Sequence, residues 1–238
     1  MKHLLKSVSI VIALMLSLYA CADSTAPETS GTINLSSKYS TSALQKVGDA
    51  SATEVIITKV TYILREIKFK TQQDSTQGLY KTTPLVLELN LTGSVQDVGG
   101  LTVPFGTYTR LEFDIHRAEA NDTTAMSADQ RAKIRAFFAG DKYSVIIEGT
   151  YNDGTSQKNF IYKSKVNMKQ KIDLAQPLVV TESDNTINAT MLISSYGWFR
   201  DNNSILDPTD SKNESRIDNN IRNSIKAIKD KNKDGSAD

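Results

Sequence analysis

The chain has 238 residues, of which 39% are hydrophobic and 23% are charged. With 28 Lys and Arg against 27 Asp and Glu, its formal net charge is +1, which removes the electrostatic argument for nucleic-acid binding. This length and apolar content suit one or two folded domains. The single cysteine excludes an internal disulfide and a zinc site built from several thiolates.

The N-terminal segment has the pattern of a lipoprotein signal peptide. Two lysines precede an uncharged, mostly apolar stretch over 7–17, which is too short to span a bilayer comfortably. Leu18, Ala20 and Cys21 then resemble the bacterial lipobox, in which the cysteine thiol receives diacylglycerol and becomes the new N-terminus. The resemblance implies a signal peptide over 1–20 and a lipid anchor at Cys21. An ordinary secretory peptide with a chance cysteine is the alternative.

The composition of the following chain predicts a tether and then a β domain. Residues 21–31 are mostly small and polar and include a proline, as in a flexible tether. Over 32–200, seven to nine stretches alternate apolar and polar residues without regular strand–helix alternation, which predicts a mainly β, antiparallel β-sandwich. Clear strand patterns lie at 53–70, which is two strands or one long strand with a bulge, and at 85–91, 110–116, 143–151, 159–165 and 187–193.

Turn and helix signals complete the layout. Gly99 and Gly100 predict a turn, and 152–154 closes a predicted hairpin. A capping box at 127–130 starts a short inserted helix. A second one, at 211–214, starts a C-terminal amphipathic helix of about seventeen residues within 201–238. We expect its apolar stripe to dock on the strands, with partner binding as the alternative; the stripe is Ile217, Ile221, Ile225 and Ile228.

The search for catalytic chemistry finds no common nucleophile, phosphate-loop or metalloprotease motif. Glu112, Asp114 and His116 share the polar side of a predicted strand, with alternate residues about 6.5–7 Å apart, as in an acid–base carboxylate pair. We favour the alternative of a solvated face with compensating charges, because strand alternation alone produces such a face. A carboxylate-based hydrolase is therefore the last of the candidate functions.

The C-terminal residues resemble the calcium loops of EF-hands, dockerins and thrombospondin type 3 repeats. Oxygen-bearing side chains occupy positions 1, 3, 5, 7 and 9, and Gly235 at position 6 permits the sharp turn. Ca²⁺ prefers six to eight oxygen ligands, so calcium is a candidate cofactor, with a solvated tail as the alternative. The candidate ligands are Asp230, Asn232, Asp234, Ser236 and Asp238.

A second candidate site is the aromatic group Tyr196, Trp198 and Phe199. If exposed, these rings would bind a ligand such as a sugar by stacking. If buried, they would seal one end of the sandwich beneath the C-terminal helix. We favour burial, because large aromatic side chains usually supply core area.

The whole layout resembles the surface lipoproteins of Bacteroidota-type bacteria. Residues 103–111 are similar to the Pro-x-Gly-x-Tyr start of a strand found in them and in fimbrillin-like pilus subunits. The resemblance implies a prealbumin-like or immunoglobulin-like sandwich, lipid-anchored at the outer membrane. We therefore predict a non-enzymatic binding or structural module of the cell envelope with a protein or glycan partner. A pilus or adhesion subunit is the alternative.

Overall fold

A computed structural model describes residues 29–40, 54–72, 84–202 and 204–238. The predicted signal peptide, Cys21 and most of the predicted tether lie outside these residues. The described chain is mainly β, with two large sheets and a few short helices, which confirms the predicted fold class. None of the described helices is long and apolar enough to cross a membrane.

The first sheet has four strands in the order β12-β9-β1-β4. Its strands are β1 (Ser30–Tyr39), β4 (Gln96–Pro104), β9 (Thr186–Ile193) and β12 (Ile225–Lys229). The strand β1 pairs antiparallel with β4 but parallel with β9, so this sheet is mixed. It therefore joins strands that are far apart in the sequence.

The second sheet has six strands, in the order β7-β6-β2-β5-β8 with β3 paired to β2, and all its pairings are antiparallel. Its strands are β2 (Glu54–Thr71), β3 (Leu85–Glu88), β5 (Gly106–Ile115), β6 (Val145–Asn152), β7 (Gln157–Ser164) and β8 (Met168–Val180). A separate small hairpin joins β10 (Arg200–Asp201) and β11 (Ser204–Ile205).

The main core fills the space between the two sheets and takes large apolar side chains from both. A second core lies on the other side of the six-stranded sheet, beneath helix α1 (Ala128–Ile134) and the 3₁₀ turn Arg135–Phe138. The predicted start of α1 is confirmed, because the Ser127 hydroxyl accepts a hydrogen bond from the Gln130 backbone N–H at 3.3 Å. The hairpin between β6 and β7 is also confirmed.

Residues 54–71 form one long strand with a bulge, one of the two predicted forms. The pairing of β2 with β5 shifts between Arg65 and Lys68, and Glu66 between them has φ 49°. The predicted turn at Gly99 and Gly100 is wrong, because both glycines lie inside β4. There they accommodate a bulge: Gly99, with φ 149°, sits where the pairing with β1 shifts.

The strand predicted at 85–91 is shorter in the structure, and it is buried on both sides rather than on one as its alternation predicts. Only Leu85–Glu88 is a strand, and Leu87 joins the main core while Val86 joins the second core. The reason is α1, which covers the side that the alternation assigned to solvent. The Gln130 side chain even accepts a hydrogen bond from the Val86 backbone N–H at 2.7 Å.

The predicted C-terminal helix is present but much shorter than expected. Helix α2 covers Glu214–Arg222 and is preceded by a 3₁₀ turn whose cap is Asp210, not Ser211. The last two isoleucines of the stripe belong to β12, which pairs antiparallel with β9. The helix ends at Arg222, and two residues later the Ser224 hydroxyl donates to the Ile221 carbonyl at 2.6 Å as the chain turns into the strand.

Candidate functional site

A cavity of about 390 Å³ opens at one end of the four-stranded sheet, where β1 and β9 end and β12 begins. Its volume falls within the range of small-molecule pockets. The lining residues that matter for its chemistry are Lys38, Leu192, Ser194, Ser224, Lys226 and Gly235.

Strand register sets three of these residues in a row. Lys38 of β1 pairs with Leu192 of β9, which pairs in turn with Lys226 of β12. Residues in register share one face of a sheet, and neighbouring strands lie about 4.8 Å apart. The Cα atoms of the two lysines are therefore roughly 10 Å apart. The cavity thus has an apolar side chain between two cationic ones, on the outer face of the four-stranded sheet.

The chain segment after β12 holds Lys38 in place. The Lys38 ammonium donates to the Asp234 carbonyl at 2.8 Å and lies 3.5 Å from the Gly235 carbonyl oxygen. Gly235 has φ 77°, and a Cβ added there would overlap the Lys38 side chain. Only glycine suits both the backbone angle and this close approach. The cation of Lys38 is therefore fixed at the edge of the cavity.

Lys226 is exposed on the other side of the cavity. Within the described part of the chain, its ammonium makes no ion pair or hydrogen bond. Ser224 contributes its surface but not its hydroxyl proton, which is donated to the Ile221 carbonyl. The two lysines are therefore the main polar groups that this site offers to a ligand.

Residues 230–238, called the C-terminal loop below, pack on the outer face of the four-stranded sheet. Asp230 is 0% exposed and accepts from the Thr190 hydroxyl at 2.6 Å. It also accepts from the backbone N–H groups of Asp234 at 3.0 Å and Gly235 at 2.9 Å. The Lys233 ammonium pairs with Asp97 of β4 at 3.1 Å. These contacts tie the loop to strands on both sides of β1.

The candidate calcium ligands are engaged in hydrogen bonds within this loop. The Asp234 carboxylate accepts from the Ser236 N–H at 2.7 Å and from the Asn232 side chain at 2.9 Å. The Ser236 N–H, and after it Asn232, hold the pKa of Asp234 below its ordinary value. The Asp238 carboxylate accepts from the Lys231 N–H. Among the described residues, no three His, Cys, Asp or Glu side chains are arranged to hold a metal, and calcium binding stays a prediction.

The three aromatic residues do not form one exposed platform. Trp198 and Phe199 are buried at 0% and 4% exposure, whereas Tyr196 is 50% exposed. Trp198 meets Tyr62 edge-to-face with ring centroids 6.3 Å apart, inside the main core. This corrects the stacking-platform alternative, because two of its three rings are core residues.

The structure places Glu112, Asp114 and His116 along one side of β5 and just past its end, as the alternation predicts, and two of them have other described partners. Glu112 is 5% exposed and lies 3.7 Å from the Lys68 ammonium of β2. His116 Nδ1 donates to the adjacent Arg117 carbonyl at 2.7 Å. Glu112 departs from the expected solvated face: it is buried beside the half-buried Lys68, which lies opposite it in register and supplies its counter-charge.

Sequence reasoning missed the cavity, since its lysines belong to no motif. One local signal was available: 225–229 reads Ile-Lys-Ala-Ile-Lys, and Ile225 and Ala227 alternate with Lys226. That short alternation is typical of a half-buried strand. It would have placed Lys226 on an outer face, but not beside Lys38.

Comparisons of the chain with protein-family models, with curated proteins and with solved structures find no match. A β-sandwich by itself supports many unrelated functions. Function therefore has to be inferred from the chemistry of the cavity and from the N-terminal sequence.

Proposed function

We propose that the protein is a non-enzymatic binding module of the cell envelope, anchored to a membrane by lipid at Cys21. The lipobox-like residues Leu18, Ala20 and Cys21 support the anchor. Each buried CH₂ of an acyl chain contributes about 0.8 kcal/mol, so several chains hold a protein firmly on a bilayer. The outer membrane is the expected location.

The observation that supports a binding role is the cavity between Lys38 and Lys226. Its described lining offers ammonium, hydroxyl and apolar groups but no carboxylate, imidazole or thiol. Such a lining provides charge, hydrogen bonds and apolar contact, and it lacks the side chains that most often act as general acid or base. These features favour recognition over catalysis.

The anchor is tested by changing Cys21→Ala in the full chain and separating membranes from soluble proteins. We expect the parent protein in the membrane fraction and the variant largely released from it. Ser24→Ala, three residues further along, is the matched control and should stay with the membrane. A Cys21→Ala variant that fractionates like the parent contradicts lipid anchoring.

The location is tested by protease treatment of intact cells followed by immunoblotting. Loss of the full-length band while a periplasmic marker survives supports display outside the cell. Full protection behind an intact outer membrane contradicts surface display and places the binding role inside the envelope. In that case, crosslinking in the periplasm is the route to its partner.

A further inference from the structure

We propose that the cavity binds a small organic anion that carries an apolar body, of which a medium-chain carboxylate is the simplest example. This inference rests on the proposed binding function and assigns its ligand class. It derives from the arrangement of Lys38, Leu192 and Lys226 rather than from any sequence motif.

The first step concerns charge. An ammonium group has three N–H donors. Two carbonyl oxygens face Lys38, which leaves it one donor, and Lys226 has no partner among the described residues. Hydrogen bonds between ammonium and carboxylate groups are about twice as strong as neutral ones. One carboxylate placed over Leu192 can meet both lysines, because their Cα atoms are only about 10 Å apart.

The second step concerns nearby negative charge, which would oppose an anion. Neither Asp230 nor Asp234 lines the cavity with its carboxylate. Asp230 is fully buried against Thr190, and the Asp234 carboxylate is already bonded to Ser236 and Asn232. It is the neutral carbonyl of Asp234 that holds Lys38. The Asp234 carboxylate does interact electrostatically with Lys38. Among the described residues, however, neither Lys38 nor Lys226 forms an ion pair, so each ammonium can still accept an anionic partner.

The third step concerns the apolar part of the ligand. Leu192 separates the two lysines, and Ile193 also lines the space. A cavity of about 390 Å³ is far larger than an inorganic anion needs. An apolar body attached to the anionic group would fill this volume and remove the leucine side chain from water.

The ligand class is tested by calorimetric titration of the full lipidated chain in phosphatidylcholine nanodiscs. The probes are octanoate, octanamide and inorganic phosphate, and empty nanodiscs correct for partition into lipid. Octanamide has the same length as octanoate without the charge, and phosphate has charge without an apolar body. We expect octanoate to bind at least about tenfold more tightly than either, because each lacks one of the two interactions.

The residues are tested by Lys226→Gln, which changes an exposed side chain that supports no other described group. We expect octanoate to bind about tenfold more weakly, as for loss of one charged hydrogen bond. Lys169→Gln on the six-stranded sheet removes another exposed lysine, outside the cavity lining, and should leave the affinity unchanged.

A second variant tests the geometry rather than the charge. Gly235→Ala should push the Lys38 side chain from its position and weaken octanoate binding, while leaving octanamide binding little changed. Gly197→Ala is its control, because a Cβ at Gly197 meets nothing within 4 Å.

Equal affinity for octanoate and octanamide, or an unchanged affinity in Lys226→Gln, would overturn the assignment of an anionic ligand. Phosphate binding as tight as octanoate would overturn the requirement for an apolar body. If no probe binds while Cys21→Ala still releases the protein from membranes, this inference fails and the proposed anchor stands.

Discussion

Helix α2 and the C-terminal loop both come from the C-terminal end of the chain, and each covers part of the sandwich. The helix is held by apolar contacts, and the loop is held by hydrogen bonds. Helix α2 inserts Ile217 and Ile221, both 0% exposed, into the main core. The C-terminal loop instead lies on polar side chains of the outer face and is held by hydrogen bonds from Thr190 and Lys38. The difference shows how one end of the chain can both close an apolar core and shape a cavity on the outer face of a sheet.

Each cover buries one aspartate, and the two carboxylates have different support. Asp230 accepts hydrogen bonds from Thr190 and from two backbone N–H groups. Asp218 of α2 is 2% exposed and accepts from the Tyr162 hydroxyl at 2.8 Å. Burial raises the pKa of Asp218, and the hydrogen bonds from Ser164 and then Tyr162 offset this only in part. The two buried carboxylates thus differ in their partners: backbone N–H groups and a threonine for Asp230, and side-chain hydroxyls for Asp218.

The largest expected effect comes from the apolar cover. Ile221→Ala should lower the free energy of unfolding by about 3 kcal/mol, because it leaves a cavity where α2 meets the core. Urea denaturation followed by circular dichroism measures the change. Ile161→Ala, at a residue 61% exposed on β7, should change it by less than about 0.5 kcal/mol. Similar losses in both variants would mean that α2 does not dock on the sandwich.

The C-terminal loop should contribute less to the free energy of unfolding than helix α2 does. Its buried residue Asp230 should still make a measurable contribution. Asp230→Ala leaves the Thr190 hydroxyl and two backbone N–H groups without their acceptor, and we expect a loss of about 2 kcal/mol. The matched control is Asp173→Ala, whose exposed carboxylate pairs with Arg110 at 2.7 Å. Exposed pairs contribute about 1 kcal/mol or less. An Asp230→Ala variant as stable as the control would contradict the packing of the loop on the sheet.

The contrast between the two aspartates also predicts a pH dependence. Because the pKa of Asp218 is raised in the folded state, its contribution to stability is complete below the ordinary aspartate pKa of about 3.9. That contribution is lost as the pH rises through the folded value. Asp218→Asn should therefore be more stable than the parent at pH 7, and this gain should vanish below about pH 4. The gain should be smaller than the losses expected for Ile221→Ala and Asp230→Ala.

Urea midpoints measured from pH 3.5 to pH 7 check this sign. Tyr162→Phe keeps the buried carboxylate but removes a donor to it, so its stability should fall more steeply with rising pH than that of the parent. If Asp218→Asn is less stable than the parent at pH 7, the ionised carboxylate is stabilising and the expected direction is wrong.

Local signals account for the parts of the fold that the sequence predicted well. The Ser127 cap and the β6–β7 hairpin depend on residues a few positions apart, whose chemistry selects one conformation. The prediction of one long C-terminal helix was wrong because the spacing of the four isoleucines allows either a single helix or a helix followed by a strand. Pairing of β12 with β9, more than thirty residues away, decides between them.

The cavity could not be predicted either, because it also depends on pairing between strands that are far apart in the sequence. Lys38, Leu192 and Lys226 come from three distant segments, and the parallel pairing of β1 with β9 aligns the first two. Alternation assigns each of them to one side of a strand, but it does not identify the neighbouring strand. The cavity exists only once the order β12-β9-β1 is known.

The smallest expected effect is a rise in the free energy of unfolding when Ca²⁺ binds to the C-terminal loop. Helix α2 carries no predicted calcium ligands, so calcium would separate the two covers. Extracellular calcium modules bind with dissociation constants of about 0.1–1 mM. If the C-terminal loop binds Ca²⁺ with a dissociation constant of about 1 mM, adding ~3 mM Ca²⁺ would raise the free energy of unfolding by about 0.8 kcal/mol. Mg²⁺ should not substitute, since it demands closer octahedral geometry. Asp234→Asn should remove the calcium effect, whereas Ile221→Ala should keep it. If the urea midpoint is the same with and without Ca²⁺, the loop does not bind calcium and hydrogen bonds alone hold it in place.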